Sequence, residues 1–288
     1  MQVYREIAPL QDYLNELKSQ GKKIGFVPTM GALHDGHMAL IKASTQANDV
    51  TVCSIYVNPT QFNNAQDLKK YPRELENDTV MLKSAGCQVL FCPSDDQMYP
   101  EQSKISFRFD GLDDTLEGSF RPGHFSGVGL VVSKLFNIVQ PHRAYFGQKD
   151  LQQFLIIKRL VLDLSYPIEL VCVPTVRESD GLAMSSRNKR LSPEGRIQAT
   201  AIHKALKVAA DLIRKAAAFE QVNVEVEDII RSAGMEMEYF EVVDATTLKK
   251  ATTSSEATIL ALCIAAYIDN VRLIDNLIVN LESELSIQ

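Results

Sequence analysis

The sequence carries no excess of basic residues. Its 288 residues include 30 lysines and arginines against 36 aspartates and glutamates, which gives a formal net charge of -6. Proteins that bind nucleic acid usually show clustered positive charge, so this composition does not favour such a partner. A ligand with several negative charges would need a local group of cationic side chains.

The sequence is also poor in cysteine, and its cysteines form no Cys-x-x-Cys pair. Four of the five lie within apolar runs that we predict to be strands, and the full set is Cys53, Cys87, Cys92, Cys172 and Cys263. We therefore expect buried free thiols, as in a reducing cytosol, rather than disulfides or a zinc site.

Long hydrophobic runs are missing as well. The longest, residues 257–268, is too short to cross a bilayer, and the N-terminus carries Arg5 and Glu6 without an apolar signal core. We therefore expect a cytoplasmic protein that does not bind membranes. The length and the 45% hydrophobic content indicate one large or two medium globular domains.

A short strand, a tight turn and a helix are predicted near the N-terminus. Ile24–Val27 is an apolar run typical of a buried parallel strand, and Pro28 stops its ladder because proline has no N–H to donate. Gly31 and Gly36 bracket the turn, and a helical pattern begins at Met38.

Two histidines, His34 and His37, fall across the first turn of this helix. Ligands of open α/β sheets bind beyond the carboxyl ends of the strands, where unpaired helix N–H groups favour phosphate. The two imidazoles would add donors that can be cationic near neutral pH.

The motif His34-x-Gly36-His37 has three interpretations. The simplest is a strand, turn and helix with two surface histidines. A P-loop shares the glycine spacing, but His37 and Met38 replace its lysine and its serine or threonine, so it cannot work as P-loops do. The third is the His-x-Gly-His signature of nucleotidyl transferases, which attack the α-phosphate of ATP.

Apolar runs alternate with helical patterns over the first 180 residues. We predict strands at 24–27, 50–57, 88–93, 143–146 and 168–173, and helices at 7–18, from 38, at 74–85, at 128–139 and from 147 to 162. Such alternation forms right-handed βαβ units, so the pattern predicts a parallel sheet. We also expect a short extra strand at 105–109 and a glycine-rich loop over the site at 116–129.

The pattern changes beyond residue 180. Long helices are predicted at 193–218 and 222–233, followed by strands at 237–243, 258–265 and 271–277 that are close enough to pair antiparallel. The expected fold class is α/β, with a Rossmann-like parallel-sheet nucleotidyl transferase domain over residues 1–180. Residues 181–288 would form a smaller C-terminal α+β domain.

A second polar motif, residues 184–188, also has two interpretations. Serine and asparagine clusters commonly form turns and helix caps. Alternatively, Ser185, Ser186 and Arg187 would form a clamp for a polyphosphate. A serine-rich, basic loop late in the fold is expected of nucleotidyl transferases with an N-terminal His-x-Gly-His, so the two motifs together favour that class.

With these motifs the sequence resembles the pantothenate synthetase (pantoate–β-alanine ligase) family. The resemblance rests on residues 28–37, 58–62, 121–125, 146–153 and 184–188. It covers most of the first 190 residues, whereas the C-terminal third matches only in general character.

The resemblance implies a role for each matched residue. The ATP site would consist of Met30, Gly31, Ala32, Leu33, His34, Asp35, Gly36, His37, Gly147, Gln148, Lys149, Asp150, Val176, Met184, Ser185, Ser186 and Arg187. The catalytic groups would be His34, His37, Lys149 and Arg187, with His37 donating a proton to the departing pyrophosphate. Gln61 and Gln153 would bind pantoate.

The resemblance also implies the reaction and the assembly. ATP and Mg²⁺ would support condensation of (R)-pantoate with β-alanine through pantoyl adenylate, releasing AMP and pyrophosphate. The chain would form a homodimer through its N-terminal domain, with the C-terminal domain as a lid. Ligands of the metal and the role of His124 stay open, and His142 and Gln148 stand where the family pattern suggests an acid.

Two other classes compete with this interpretation. Another nucleotidyl transferase of the His-x-Gly-His class would have no need of Asn58-Pro59-x-Gln61-Phe62 or of the paired glutamines. A catalytically silent nucleotide-binding module would not need both histidines, Lys149 and the clamp together.

Overall fold

The computed structural model describes residues 1–254 and 256–282, and the chain divides into two compact units. The first comprises Met1–Gln148 and Gln153–Pro174, and the second comprises Lys149–Gln152 and the chain from Thr175 onward. The boundary that the sequence suggests at residue 180 and the lid role stay predictions.

A six-stranded parallel sheet forms the centre of the first unit. Its strands lie in the order β1-β4-β3-β2-β5-β6, and every neighbouring pair is parallel. In chain order they are β1 Gln2–Tyr4, β2 Ile24–Thr29, β3 Val50–Ile55, β4 Val89–Phe91, β5 Arg143–Gly147 and β6 Glu169–Val173. This architecture confirms the predicted α/β class with a Rossmann-like sheet.

Helices connect the strands. In chain order they are α1 Ile7–Ser19, α2 Asp35–Ala47, α3 Ala65–Lys70, α4 Leu75–Ser84, α5 Asp95–Met98, α6 Glu117–Phe120, α7 His124–Val139 and α8 Leu151–Asp163. Each main helix carries an apolar stripe at helical spacing, which is the signal that predicted α1, α4 and the C-terminal part of α7.

The sheet is covered on both faces. Phe26 of β2 packs on one face in a cluster with Phe136 of α7. Its neighbour Val27 points to the other face and clusters with Ile41 of α2 and Leu82 of α4. Because successive side chains of a strand alternate between two buried faces, the strands are almost wholly apolar. Groups that act on a ligand therefore lie beyond the strand ends.

The second unit is an antiparallel sheet with helices against it. Its elements are α9 Pro193–Gln198, α10 Ala201–Arg214, α11 Phe219–Ser232, β7 Glu236–Asp244, β8 Ile259–Ile268 and β9 Val271–Asn280. The strand order β7-β8-β9 is antiparallel throughout. Apolar side chains of α10, α11 and β8 share one core, among them Ala205, Val226 and Leu262. The predicted α+β unit is confirmed.

The predicted extra strand at 105–109 is wrong. These residues form no regular element and join no sheet in the described part of the chain. Their backbone bonds to side chains instead: the N–H of Phe107 donates to Ser126 Oγ at 3.1 Å, and the N–H of Phe109 donates to Asp113 Oδ2 at 2.9 Å. A run of β-branched and aromatic residues indicates a segment that packs against apolar surface. Here that surface belongs to α7 and not to a neighbouring strand.

The predicted glycine-rich loop at 116–129 is also largely wrong. α6 occupies Glu117–Phe120 and α7 already begins at His124. Gly123, with φ +80°, supplies the left-handed turn before α7. Gly127 and Gly129 lie inside the helix, where each lets a neighbouring segment approach closely. Glycine thus marks close packing here, not a loop.

Smaller differences concern short elements. The long helix predicted at 193–218 is two helices, α9 and α10, and the short elements β1, α3 and α5 were not predicted. Three- to six-residue elements carry too few side chains to show a period.

Cys172 is exposed because β6 is an edge strand, whereas the other four cysteines are buried; all five are free thiols. Among the described residues, no helix combines the length and the apolar character that crossing a bilayer requires.

An ion pair in the second unit ties β9 to residues 175–183. Asp275 accepts two bonds from the Arg177 guanidinium, at 2.6 and 3.0 Å, and its side chain is only 2% exposed. Arg177 also donates to the carbonyl oxygens of Gly181 and Asn276. Such a fully partnered pair is costly to break because one charge would stay buried.

We predict that Asp275→Ala lowers the free energy of unfolding of the second unit by about 3 kcal/mol, since the Arg177 charge loses its partner. Urea denaturation followed by circular dichroism measures this. The control is Arg231→Ala, which removes an exposed arginine paired with Asp228 on α11 and should cost less than about 1 kcal/mol. Equal losses of unfolding free energy in the two variants would show that the buried ion pair contributes no more to stability than the exposed one.

Candidate active site

The candidate site lies where the order of the sheet reverses. From β2 the chain moves through β3 to β4 on one side, and then returns to place β5 and β6 on the other side of β2. Loops at such a switch point leave in opposite directions and open a crevice beyond the carboxyl ends of the strands. The loops after β2, β3 and β5 therefore meet at this edge.

The loop after β2 turns sharply before α2 begins. Thr29 Oγ1 donates to the carbonyl oxygen of Ser54 at 2.7 Å, which fixes the end of β2 against β3. Gly31 and Ala32 then adopt left-handed backbone conformations with φ +81° and +50°. The chain enters α2 at Asp35 with His34 as its N-cap.

His34 and His37 cap α2 reciprocally. Nδ1 of His34 accepts from the N–H of Gly36 at 3.2 Å, and Nδ1 of His37 accepts from the N–H of His34 at 3.3 Å. The ring centroids lie 4.1 Å apart. An Nδ1 atom that accepts a hydrogen bond carries no proton, so each neutral ring holds its proton on Nε2. The residues predicted to contact phosphate are thus fixed by the helix end itself.

The turn after β3 brings Gln61 beside the β2 loop. Gln61 Nε2 donates to Met30 Sδ at 3.2 Å, and Gln61 Oε1 accepts from Asn58 Nδ2 at 3.0 Å. Asn58 and Gln61 are both buried. Asn58 Nδ2 also donates to the carbonyl oxygen of Gly127 at 3.2 Å, which anchors the turn to α7. The structure therefore joins two of the predicted site segments, Met30 and Gln61.

His124 supports this turn from α7. Its Nδ1 lies 2.8 Å from the carbonyl oxygen of Gln61, and the ring is buried. A carbonyl oxygen can only accept, so Nδ1 of His124 carries the proton. The role of His124, which the sequence left open, includes holding the backbone of Gln61.

Gly147 ends β5 and Gln148 follows it at the same edge of the sheet, since β5 pairs in parallel with β2. A Cβ atom added to Gly147 would meet no heavy atom within 4 Å. Gln153, in the first turns of α8, is half-buried in the same unit. This edge of the first unit therefore contains Met30–His37 together with both glutamines predicted to bind pantoate.

The second unit contains the remaining predicted residues. The carbonyl oxygen of Lys149 accepts from Asn276 Nδ2 of β9 at 2.8 Å, and Lys149 Nζ lies 4.0 Å from Asp150 Oδ1. Strand β9 thus holds the backbone of Lys149, whose side chain is the cation predicted to bind phosphate.

A hairpin in the second unit contains Val176 and Met184. The N–H of Met184 donates to the carbonyl oxygen of Val176 at 3.0 Å, next to the antiparallel bridge between Arg177 and Ala183. Arg177 also makes the ion pair with β9 described above. The hairpin and the Lys149 backbone are therefore anchored to the same strand.

Residues 184–188 form a capped turn. Ser185 Oγ accepts from the N–H of Arg187 at 3.2 Å and so caps the short 3₁₀ helix Ser186–Arg190. Asn188 Nδ2 donates to the carbonyl oxygen of Ala183 at 3.0 Å. The interpretation of this motif as a turn and cap is therefore correct locally, and a phosphate-binding role for Ser185, Ser186 and Arg187 stays a prediction.

His142, by contrast, lies at the opposite end of the sheet. It immediately precedes β5, and its Nδ1 accepts from the N–H of Ile24 at the start of β2, at 3.0 Å. Burial, with the nearby charges of Lys23, Lys18 and Arg143, lowers the pKa of His142. His142 thus belongs to the sheet and not to the site, so the absence of an acid there has no bearing on a bound triphosphate.

Sequence reasoning missed two supporting residues, Asn276 and Asp78, and did not predict what His124 contacts. Asn276 contacts Lys149 from a strand that lies 127 positions further along the chain, and His124 reaches Gln61 across 63 positions. Asp78, on α4, contacts the loop after β2. No periodicity links residues so far apart, and only the glycines of α7 gave a local signal of close packing.

We predict that Gly127→Ala forces α7 away from the turn at Gln61, because the new Cβ would lie 2.3 Å from the carbonyl oxygen of Thr60. The free energy of unfolding of the first unit should fall by about 1–3 kcal/mol, the usual cost of overpacking. Chemical denaturation measures this. Gly147→Ala is the matched control, since its Cβ meets nothing within 4 Å; a similar loss in both variants would contradict the close approach.

The chain matches a known family over nearly its whole length. The family model for pantoate-beta-alanine ligase matches residues 2–278. The pantothenate synthetase of Bacteroides fragilis is 47% identical over 277 residues, covering 96% of this chain and 98% of its own. That of Cytophaga hutchinsonii is 48% identical over 282 residues, covering 95% of this chain and 97% of its own.

Solved structures agree with these sequence relatives. The crystal structure of pantothenate synthetase from Thermus thermophilus is 40% identical and superposes with a TM-score of 0.90, covering 96% of this chain and 99% of that chain. A crystal structure of pantoate-beta-alanine ligase from Francisella tularensis, complexed with beta-gamma ATP and beta-alanine, is 38% identical with a TM-score of 0.80 and covers 96% and 97% of the two chains. The chain is therefore an enzyme of the ligase class, and it belongs to the pantoate–β-alanine ligase family.

Proposed function

We propose that this chain uses ATP to condense pantoate with β-alanine, through pantoyl adenylate, and releases AMP and pyrophosphate. The observation that carries the proposal is the contact between Gln61 and Met30. It places an amide side chain suited to hydroxyl and carboxylate groups beside a loop that leads into a histidine-capped helix N-terminus suited to phosphate.

The two half-reactions balance without a nucleophilic side chain. A carboxylate oxygen of pantoate attacks the α-phosphorus of ATP, the bond to the bridging oxygen breaks, and pyrophosphate leaves. The neutral amine of β-alanine then attacks the acyl carbon, the bond to the adenylate oxygen breaks, and AMP leaves while the amine loses a proton to solvent. Much of the acceleration would come from holding the reactants in line, a term worth up to roughly 7–11 kcal/mol.

The histidines suit the first half-reaction. Because Nδ1 of His34 and Nδ1 of His37 each accept a backbone N–H, the proton that each neutral ring can give lies on Nε2. His37 would donate to the departing pyrophosphate. Lys149 and Arg187 would neutralise charge that develops on the β- and γ-phosphates, the kind of electrostatic stabilisation that lowers such barriers most.

The remaining ATP contacts follow the family resemblance. Gly147–Asp150 would hold the ribose and the phosphates, the backbone of Val176 would contact adenine, and Met184–Arg187 would close on the triphosphate. Gly147 supports this assignment, since an added Cβ there would meet no heavy atom within 4 Å. A ligand can approach the backbone there without meeting a side chain.

Magnesium would enter with ATP as part of the substrate. No group of three or more histidine, cysteine, aspartate or glutamate side chains that could hold a metal occurs among residues 1–254 and 256–282. Mg²⁺ commonly takes one or two carboxylates and completes its shell with phosphates and water. Asp150, half-exposed beside Lys149, and the exposed Asp35 are the two carboxylates within the predicted ATP site that could serve in this way.

Two expectations about the setting stay proposals. We propose a homodimer, which light scattering at micromolar concentration would test, with a monomer at all concentrations as the contrary result. We also propose a cytoplasmic location, because both ATP and free thiols belong to that compartment. Fractionation of cells that produce the tagged chain would test the location, and recovery outside the cytoplasmic fraction would contradict it.

Isotope exchange tests the reaction. Labelled pyrophosphate should enter ATP when pantoate and Mg²⁺ are present and β-alanine is absent, because the adenylate forms before the amine is needed. Another nucleotidyl transferase with a phosphorylated substrate would show no pantoate dependence. Formation of ADP and phosphate would overturn the proposal, since it would indicate an acyl phosphate.

We predict that His37→Ala and Lys149→Ala each lower the rate of pantoate-dependent exchange by at least about a hundredfold, the scale of one lost electrostatic donor. The matched controls are His142→Ala, at the opposite end of the sheet, and Lys158→Ala, an exposed lysine of α8. Both controls should stay within about twofold of the wild type, as expected of groups remote from the reacting atoms. Near-normal exchange in the His37 or Lys149 variant would remove that residue from the mechanism.

We predict that Gln61→Ala and Gln153→Ala each raise the KM for pantoate by about tenfold or more, since a hydrogen bond to a charged ligand is lost. The KM for ATP should change little. Gln66→Ala, which truncates an exposed glutamine in α3, serves as the control. If the KM for ATP rose instead, these glutamines would belong to the nucleotide part of the site.

A further inference from the structure

A buried carboxylate lies beneath the loop that leads to the histidines. Asp78 of α4 is fully buried, and its two oxygens accept hydrogen bonds from consecutive backbone N–H groups. Oδ2 accepts from Ala32 at 2.9 Å and Oδ1 accepts from Leu33 at 2.7 Å. A buried carboxylate needs such donors, because its desolvation is otherwise unfavourable.

These bonds act on a loop with an unfavourable backbone. Ala32 has φ +50°, a left-handed conformation that a residue with a Cβ rarely adopts. Gly31 before it has φ +81°, and a Cβ there would lie 3.0 Å from Asp78 Oδ2. The loop is therefore shaped around the carboxylate, and the carboxylate stabilises a conformation that alanine alone would leave.

The position of the loop links this contact to the histidines. Ala32 and Leu33 immediately precede His34, which caps α2 and donates its own N–H to His37 Nδ1. A rotation of either peptide would move the cap and with it both imidazole rings. A carboxamide could not replace the carboxylate, since it has one acceptor oxygen and its NH₂ group would face an N–H donor.

We propose that Asp78 is a positioning residue for adenylation. By accepting the N–H groups of Ala32 and Leu33, it holds the left-handed loop that sets the geometry of His34 and His37. Asp78 is not among the residues proposed to contact substrate, and the inference rests on the function proposed above.

Asp78→Asn tests the role in catalysis. The isosteric change should lower the rate of pantoate-dependent exchange at saturating substrates at least about tenfold, because the histidines lose their alignment. The KM for pantoate should change less than about threefold, since Asn58 and His124 hold Gln61 in addition to its contact with the loop. Asp96→Asn, an exposed carboxylate of α5, should leave the rate unchanged. A wild-type rate in Asp78→Asn would overturn the proposal.

A double-mutant cycle separates positioning from general destabilisation. Glycine adopts the left-handed conformation without a steric penalty, so Ala32→Gly should make the loop depend less on the carboxylate. The loss of rate caused by Asp78→Asn should then be at least about threefold smaller in the Ala32→Gly background. Equal losses in both backgrounds would show that Asp78 acts only on overall stability, which would overturn the proposal.

Amide exchange in the wild type gives an answer that needs no variant. Hydrogen–deuterium exchange followed by NMR should show the N–H groups of Ala32 and Leu33 protected as strongly as those of β2, although both lie in a loop. Exchange at the rate of exposed loop amides would overturn the proposal even if every variant failed to fold. If the wild type shows no pantoate-dependent exchange of pyrophosphate into ATP, the proposed function fails and the positioning role fails with it. The amides of Ala32 and Leu33 would still be protected from hydrogen exchange in that case.

Discussion

The abrupt end of β2 is the constraint on which the rest of the site depends. Residues of this strand are buried on both faces of the sheet, so the strand itself can offer nothing to a ligand. Within a few residues the backbone must leave the sheet, turn through two left-handed residues and enter α2. The polar groups of that turn need internal partners, and these partners determine where the functional side chains lie.

Hydrogen bonds from neighbouring elements meet this need. Thr29 is fixed to β3, and the loop rests on Asp78. The two histidine rings accept from the N–H groups of His34 and Gly36 at the start of α2. The same holds for the next loop. There Asn58 donates to the side-chain oxygen of Gln61, and His124 donates to its carbonyl oxygen. Side chains proposed to act on substrate are thus held by each other and by residues outside the proposed ATP and pantoate sites, which is how a site on loops acquires a defined geometry.

The second unit follows the same principle with different residues. Asn276 and Asp275 are adjacent buried polar residues on β9, and they bind the backbone of Lys149 and the guanidinium of Arg177. Packing of β9 against the core of this unit does not require polar side chains at positions 275 and 276. Their burial indicates that β9 fixes the two segments predicted to carry phosphate-binding groups, in addition to forming an edge of the sheet.

The sequence predicted those features that depend on short-range pattern. The apolar run of β2, the glycines after it and the helical spacing of α2 lie within a few turns of each other, so the loop and both histidines could be predicted. The contact of Asp78 with Ala32 spans 46 positions, and no local pattern carries that information. The same limit explains residues 105–109, which meet α7 instead of a strand, and residues 116–129, where Gly127 and Gly129 of α7 approach Thr60 and Phe109.

The central claim is that the carboxylate of pantoate is activated by transfer of AMP. Pantoate labelled with ¹⁸O in both carboxylate oxygens tests it most directly, with AMP and any inorganic phosphate analysed by mass spectrometry after one turnover with β-alanine. The account predicts one ¹⁸O atom in AMP, because the oxygen that attacks the α-phosphorus stays on AMP when the amine displaces it. Unlabelled AMP, or ¹⁸O in inorganic phosphate, would contradict it.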